Sequence, residues 1–145
     1  MTLNKEIWLP YLHFTLQTIA MYYPLNPNKA TKRKYYDFIQ NLPLFFPEYP
    51  FGSNFIDLLD KYPVSPYLES KLSFKKWVHF VFNKIYKDMN KEQISFDDWM
   101  NDYYEHYKPK EIQQLKELKK KKKYILFGII IGLISLTIYL YNKKY

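Results

Sequence analysis

The stretch Ser73-Phe74-Lys75-Lys76-Trp77-Val78-His79-Phe80-Val81-Phe82-Asn83-Lys84-Ile85-Tyr86-Lys87-Asp88-Met89 decides the fold. Its apolar residues Phe74, Trp77, Val78, Val81, Phe82 and Ile85 recur at intervals of three and four, which puts them on one face of a helix. Such a stripe must be covered, and its neighbours in sequence share the period. Glu6 to Tyr22 carries Trp8, Leu12, Leu16, Ile19 and Ala20, and Pro24 with Asn26-Pro27-Asn28 ends it. Lys32 to Asn41 presents Tyr35, Phe38 and Ile39 behind a cap at Thr31 or Asn28, and Pro43 and Pro47 close it. After a turn at Pro50-Phe51-Gly52, Ser53 caps a short helix over Asn54–Lys61. Ser70 or Ser73 opens the helix of the quoted stretch, and Ser95-Phe96-Asp97-Asp98 has the form of a capping box for a short helix through Tyr107. No segment alternates with the strand period. The expected class is all-α: an antiparallel four-helix bundle plus a short fifth helix, followed by a C-terminal transmembrane helix.

That last helix is Tyr124 to Tyr141 (YILFGIIIGLISLTIYLY), an uncharged run of eighteen residues, roughly 27 Å long as a helix. Tyrosines stand at both of its ends, where amphipathic rings favour the membrane interface. The expected organisation is a helical bundle over residues 1–107, a basic juxtamembrane connector over 108–123, the span over 124–141 and a short tail over 142–145. No N-terminal signal peptide is expected. Within the span, Gly128 and Gly132 are four apart and Ser135 continues the strip, a small-residue face suited to helix packing in lipid.

The formal net charge is +8, and its distribution removes the first impression of a nucleic-acid binder. Residues 1–107 hold twelve Lys/Arg and twelve Asp/Glu, whereas residues 108–145 hold ten Lys and two Glu, so all the excess lies beside the apolar run. Membrane lipid is therefore the expected partner and nucleic acid is not. Lysines are heavier on the N-terminal flank, which predicts a single-pass protein with its folded part in the cytosol.

The chain has no cysteine, which excludes disulfides, thiol chemistry and thiolate metal sites. Gly52 is the only glycine before the apolar run, so no phosphate-cradling loop exists. His13, His79 and His106 have no ligand neighbours at metal-site spacing, and no metal is expected. Asp97 and Asp98 suit a helix start.

Three blocks together resemble the Erv/Alr family of FAD-dependent sulfhydryl oxidases, especially the short forms encoded by large DNA viruses. Trp8-Leu9-Pro10 … Leu16-Gln17-Thr18-Ile19-Ala20-Met21-Tyr22-Tyr23-Pro24 is similar to W-G-P-x-x-W-x-x-L-H-x-x-A-x-x-Y-P. Phe46-Pro47-Glu48-Tyr49-Pro50-Phe51-Gly52-Ser53-Asn54-Phe55 occupies the place of L-P-C-x-x-C-x-x-H followed by Phe or Tyr. Trp77 to Tyr86 resembles W-V-x-x-x-H-N-x-V-N, and Met89-Asn90-Lys91 stands where the family has L-G-K. The resemblance covers about residues 7–105. It implies a helical bundle around FAD, commonly dimeric.

The departures fall on the functional positions. Glu48 and Phe51 stand in the C-x-x-C places, so the redox pair is lost. At flavin-lining positions, Trp8, Asn83 and Lys91 match, while His13, Gln17, Asn54, Phe82 and Tyr86 replace the family residues. Neither a carboxylate nor a phenyl ring can attack a disulfide or a flavin as a thiolate does. Phe82 and Tyr86 are larger or less polar than the residues they replace, which implies a filled flavin cavity; the expectation is that no cofactor is bound. Taken with the apolar run, the resemblance then implies a catalytically inactive, tail-anchored relative with a structural or scaffolding role in host endoplasmic reticulum or a virion membrane. It would act as a homodimer, or as a heterodimer that regulates an active oxidase. The alternatives are an FAD-binding protein without dithiol chemistry and a lipid-binding tether that uses the lysine run.

Overall fold

A computed structural model describes residues 3–46 and 51–144. Among the described residues six α-helices follow one another: α1 Lys5–Tyr22, α2 Lys29–Asn41, α3 Phe51–Lys61, α4 Lys71–Asp88, α5 Phe96–Glu105 and α6 Lys110–Lys144. Short 3-10 turns at Leu42–Phe45 and Ser65–Glu69 join α2 to α3 and α3 to α4. No strand occurs among the described residues. The all-α class expected from periodicity is the class observed. By its internal contacts the chain forms two units, Met1–Tyr103 and Tyr104–Tyr145.

Local signals explain where the helices begin. Asn28 caps α2, its Oδ1 accepting from the Thr31 N–H at 2.8 Å, so of the two candidate caps the earlier one is used. Ser70 caps α4 by accepting from the Ser73 N–H at 3.1 Å. Ser95 accepts from the Asp98 N–H at 3.0 Å, and its hydroxyl donates to the Asp98 carboxylate at 2.7 Å. Helix α3 begins at Phe51 rather than Asn54, because Phe51 and Gly52 join the first turn instead of forming a loop. Gly52 suits that position. A Cβ there would lie 3.2 Å from the Pro43 carbonyl oxygen.

Helix α4 ends in a left-handed cap. Asn90 has φ 57°, its N–H donates to the Lys87 carbonyl at 2.9 Å, and the Lys91 N–H reaches back to the Tyr86 carbonyl at 2.9 Å. This is a Schellman arrangement, and asparagine is one of the few side-chain-bearing residues that enter this conformation readily.

The core of the first unit is α1 against α4, and they run antiparallel. Lys5 shares a cavity wall with Asp88 and Met89, His13 stacks on Phe82, and Tyr23 packs on Phe74. All six apolar stripe residues of α4 are buried, as are Leu9, Leu16 and Ala20 of α1. Two polar groups find partners within the unit. The Tyr23 hydroxyl donates to the Leu68 carbonyl at 2.7 Å, and Trp77 Nε1 donates to the Tyr62 carbonyl at 2.9 Å.

The second unit contains one helix, α6, long and apolar enough to cross a membrane. A Cβ at Gly128 or Gly132 would meet nothing within 4 Å. Ser135 turns its hydroxyl back to the Ile131 carbonyl at 2.9 Å, which satisfies it within the helix.

Candidate functional site

Three helices bring the site residues together. From α1, α4 and α5 come His13, Phe82, Tyr86 and Trp99. The imidazole of His13 stacks on the Phe82 ring with centroids 4.2 Å apart and planes 18° from parallel. Trp99 Nε1 donates to His13 Nε2 at 2.7 Å. That bond uses the lone pair of Nε2, so the neutral ring carries its proton on Nδ1, which lies 3.2 Å from the Tyr86 hydroxyl and donates to it. Burial lowers the His13 pKa to about 4, with the charge of nearby His79 adding to the effect. Burial also raises the Tyr86 phenol. Both groups are therefore neutral at physiological pH.

Gln17, one turn along α1, is buried and donates through Nε2 to the Trp99 carbonyl at 2.9 Å. Trp99 is thus gripped by α1 at both its ring and its backbone. No local pattern singles it out beyond its place in the fifth helix. Its size and its rarity, one of three tryptophans, are the signals that mark it.

A second cluster stands where the redox pair would be. Phe51 meets Trp8 edge to face at 5.1 Å, and Phe46 packs on both Phe51 and Phe55 at 5.0 Å. Glu48, expected at the other redox position, lies outside the described residues. Asn54 is exposed, and it borders a cavity of about 110 Å³ with Phe51, Phe55, Ile85 and Met89, edged by Lys5 and Asp88. Trp8 Nε1 is buried and has no hydrogen-bond partner among the described residues.

Asn83 and Lys91 are directed elsewhere. The Asn83 carboxamide donates to the Ile94 carbonyl at 2.9 Å, accepts from the Ile94 N–H at 3.3 Å, and lies 3.0 Å from His79 Nε2. It therefore pins the loop between α4 and α5. Lys91 lies 3.9 Å from the Glu6 carboxylate. Among the described residues no group of three His, Cys, Asp or Glu side chains is placed to hold a metal ion.

The family model described as the Erv1/Alr family matches residues 11–105. The chain belongs to the Erv1/Alr family. A relative named "Probable FAD-linked sulfhydryl oxidase", from Acanthamoeba polyphaga mimivirus, is 26% identical over 97 residues, covering 66% of this chain and 68% of its own length. Among solved structures, the yeast Erv1 core aligns with a TM-score of 0.64 at 18% identity, over 71% of this chain and 86% of that one. The FAD binding domain of Erv1 from Saccharomyces cerevisiae aligns with a TM-score of 0.64 at 19% identity, over 70% and 94% of the two chains. The helical fold is the Erv1 fold.

These findings correct one expectation. Gln17, Phe82 and Tyr86 had pointed to a chain without a cofactor, yet the relatives are FAD-linked and FAD-binding, and they point to FAD. Phe82 and Tyr86 pack against His13, and Gln17 is hydrogen-bonded to the Trp99 carbonyl. The Trp8–Phe51 side offers such a group one unmet donor: the buried indole N–H of Trp8 has no acceptor among the described residues, and Phe51 packs on the same indole. The absence of every cysteine is compatible with loss of redox activity.

Proposed function

We propose that this chain is a membrane-anchored Erv1/Alr domain that binds FAD, performs no dithiol oxidation and serves a structural or scaffolding role. The observation that carries the reading is a cysteine-free sequence in which a phenyl ring, Phe51, stands at a redox position and packs against Trp8. Thiol oxidation needs a thiolate to attack, and no side chain here supplies one. FAD would bring a two-electron acceptor. Trp8 would donate its indole N–H to it, and Phe51 and Asn54 would border it.

Helix α6 would tether the domain as a single-pass anchor, with residues 1–107 in the cytosol. Residues 108–123 are then the connector, 124–141 the span and 142–145 the tail. The likeness to a mimivirus protein supports a viral origin, with host endoplasmic reticulum or a virion membrane as the location. Erv1/Alr proteins commonly dimerise, which supports a homodimer, or a heterodimer in which this chain regulates an active oxidase.

The test is oxygen uptake with dithiothreitol. The full chain is purified in detergent, saturated with FAD and desalted. Uptake equal to a blank of matched free flavin is the expected result. Catalytic uptake above that blank would sink the inactive reading.

A further inference from the structure

Helix α6 runs unbroken for 35 residues, about 52 Å. The apolar stretch 124–141 accounts for about 27 Å of this, and residues 110–123 extend the same helix by about 21 Å on its N-terminal side. Lys119 to Lys123 are the last five residues before the apolar stretch. Each residue turns the helix by about 100°, so five in succession pass once around the axis and beyond. Their ammonium groups therefore surround the helix instead of marking one face.

Those charges are uncompensated. All five lysines are exposed, and none is held in an ion pair among the described residues. Lys116, about one turn earlier, is different. Its ammonium lies 2.8 Å from both carboxylate oxygens of Glu105, a carboxylate that Lys108 also contacts. Glu111 and Glu117 are the only acids in residues 106–145.

A protein partner would cover one side of a helix and leave the remaining charges unmatched. A lipid shell surrounds it. The geometry points to a lysine collar, Lys119 to Lys123, that gathers anionic phospholipid headgroups around the anchor in the leaflet facing the folded domain. This rests on the reading of α6 as a membrane span. Lysine is a compact, hydrated point charge without the fork that lets arginine read headgroup shape, so selection is by charge. Phosphatidylserine and phosphatidylglycerol should serve equally.

The test uses the full chain reconstituted in phosphatidylcholine vesicles that carry a trace of nitroxide-labelled lipid. The motionally restricted fraction of the spin label reports which lipids contact the anchor. Labelled phosphatidylserine and phosphatidylglycerol should each associate severalfold more than labelled phosphatidylcholine at low salt, and the preference should shrink as salt screens it. A variant with Lys119 to Lys123 all replaced by glutamine, a residue that keeps helix propensity, should lose the preference. Equal association of all three lipids with the native chain, or an unchanged preference in the variant, would overturn the collar. Flotation and an alkaline wash examine the span separately. A chain that the wash strips from the vesicles would overturn the span and the collar with it.

Discussion

The ring of Phe82 lies on the imidazole of His13, centroids 4.2 Å apart, and this contact joins α4 to α1 at the centre of the site. At its Nε2 edge, Trp99 holds the same imidazole from α5 through a 2.7 Å hydrogen bond. One histidine thus links three helices, and its environment fixes both its tautomer and its charge.

Phe82 is 1% exposed, so truncating it opens a cavity between α1 and α4. Phe82→Ala is expected to destabilise the folded domain by about 3–5 kcal/mol. Urea unfolding followed by tryptophan fluorescence measures this directly. An unchanged midpoint would show that the ring contributes nothing to the core.

The depressed pKa of His13 makes stability depend on pH, and the sign is fixed. The folded state binds the proton at about 4, whereas the unfolded chain binds it near 6.5. Stability from this group is complete above about 6.5 and is lost as pH falls towards 4, by an amount on the order of 3 kcal/mol. Protonation would also set an N–H against the Trp99 N–H that Nε2 now accepts. Thermal melts between pH 7 and 4 should fall steeply for the native chain and less steeply for His13→Gln. Parallel curves for the two would remove His13 as the cause.

The helices were legible because burial repeats along most of them, although Phe38 of the α2 stripe is 40% exposed. Every stripe residue of α4 named from spacing alone is buried, and Asn28, Ser70 and Ser95 each cap as their positions suggest. The start of α3 was not legible. Gly52 reads locally as a turn, and only the approach of Pro43 explains a glycine within a helix. The site was legible in part. Family spacing located His13, Phe82 and Tyr86, but Trp99 lies 86 residues from His13, and no local period encodes that pairing. The cofactor was not legible, because the size of Phe82 and Tyr86 does not reveal that both rings pack on His13.

Within residues 108–145, eight lysines precede the apolar run and two follow it. A bias of that size orients a single span with its richer flank inside. Protease added to intact microsomes should digest residues 1–107 of the inserted chain. Protection of that region without detergent would place the domain on the opposite side.

Gly128 and Gly132 leave open space on α6, and Ser135 extends the same strip. Small residues let two spans approach closely. Gly132→Ile should weaken self-association of residues 119–145 in a membrane two-hybrid assay. Equal signals from both segments would make the glycines incidental.

The Erv1/Alr domain is expected to hold FAD yet be unable to pass electrons to it from thiols. The absorbance spectrum of the full chain, purified in detergent, incubated with FAD, desalted and then treated anaerobically with dithiothreitol, tests both halves at once. A protein-bound flavin band that bleaches no faster than free FAD is the result this account expects. A colourless protein, or a bound band that bleaches faster than free flavin, would contradict it.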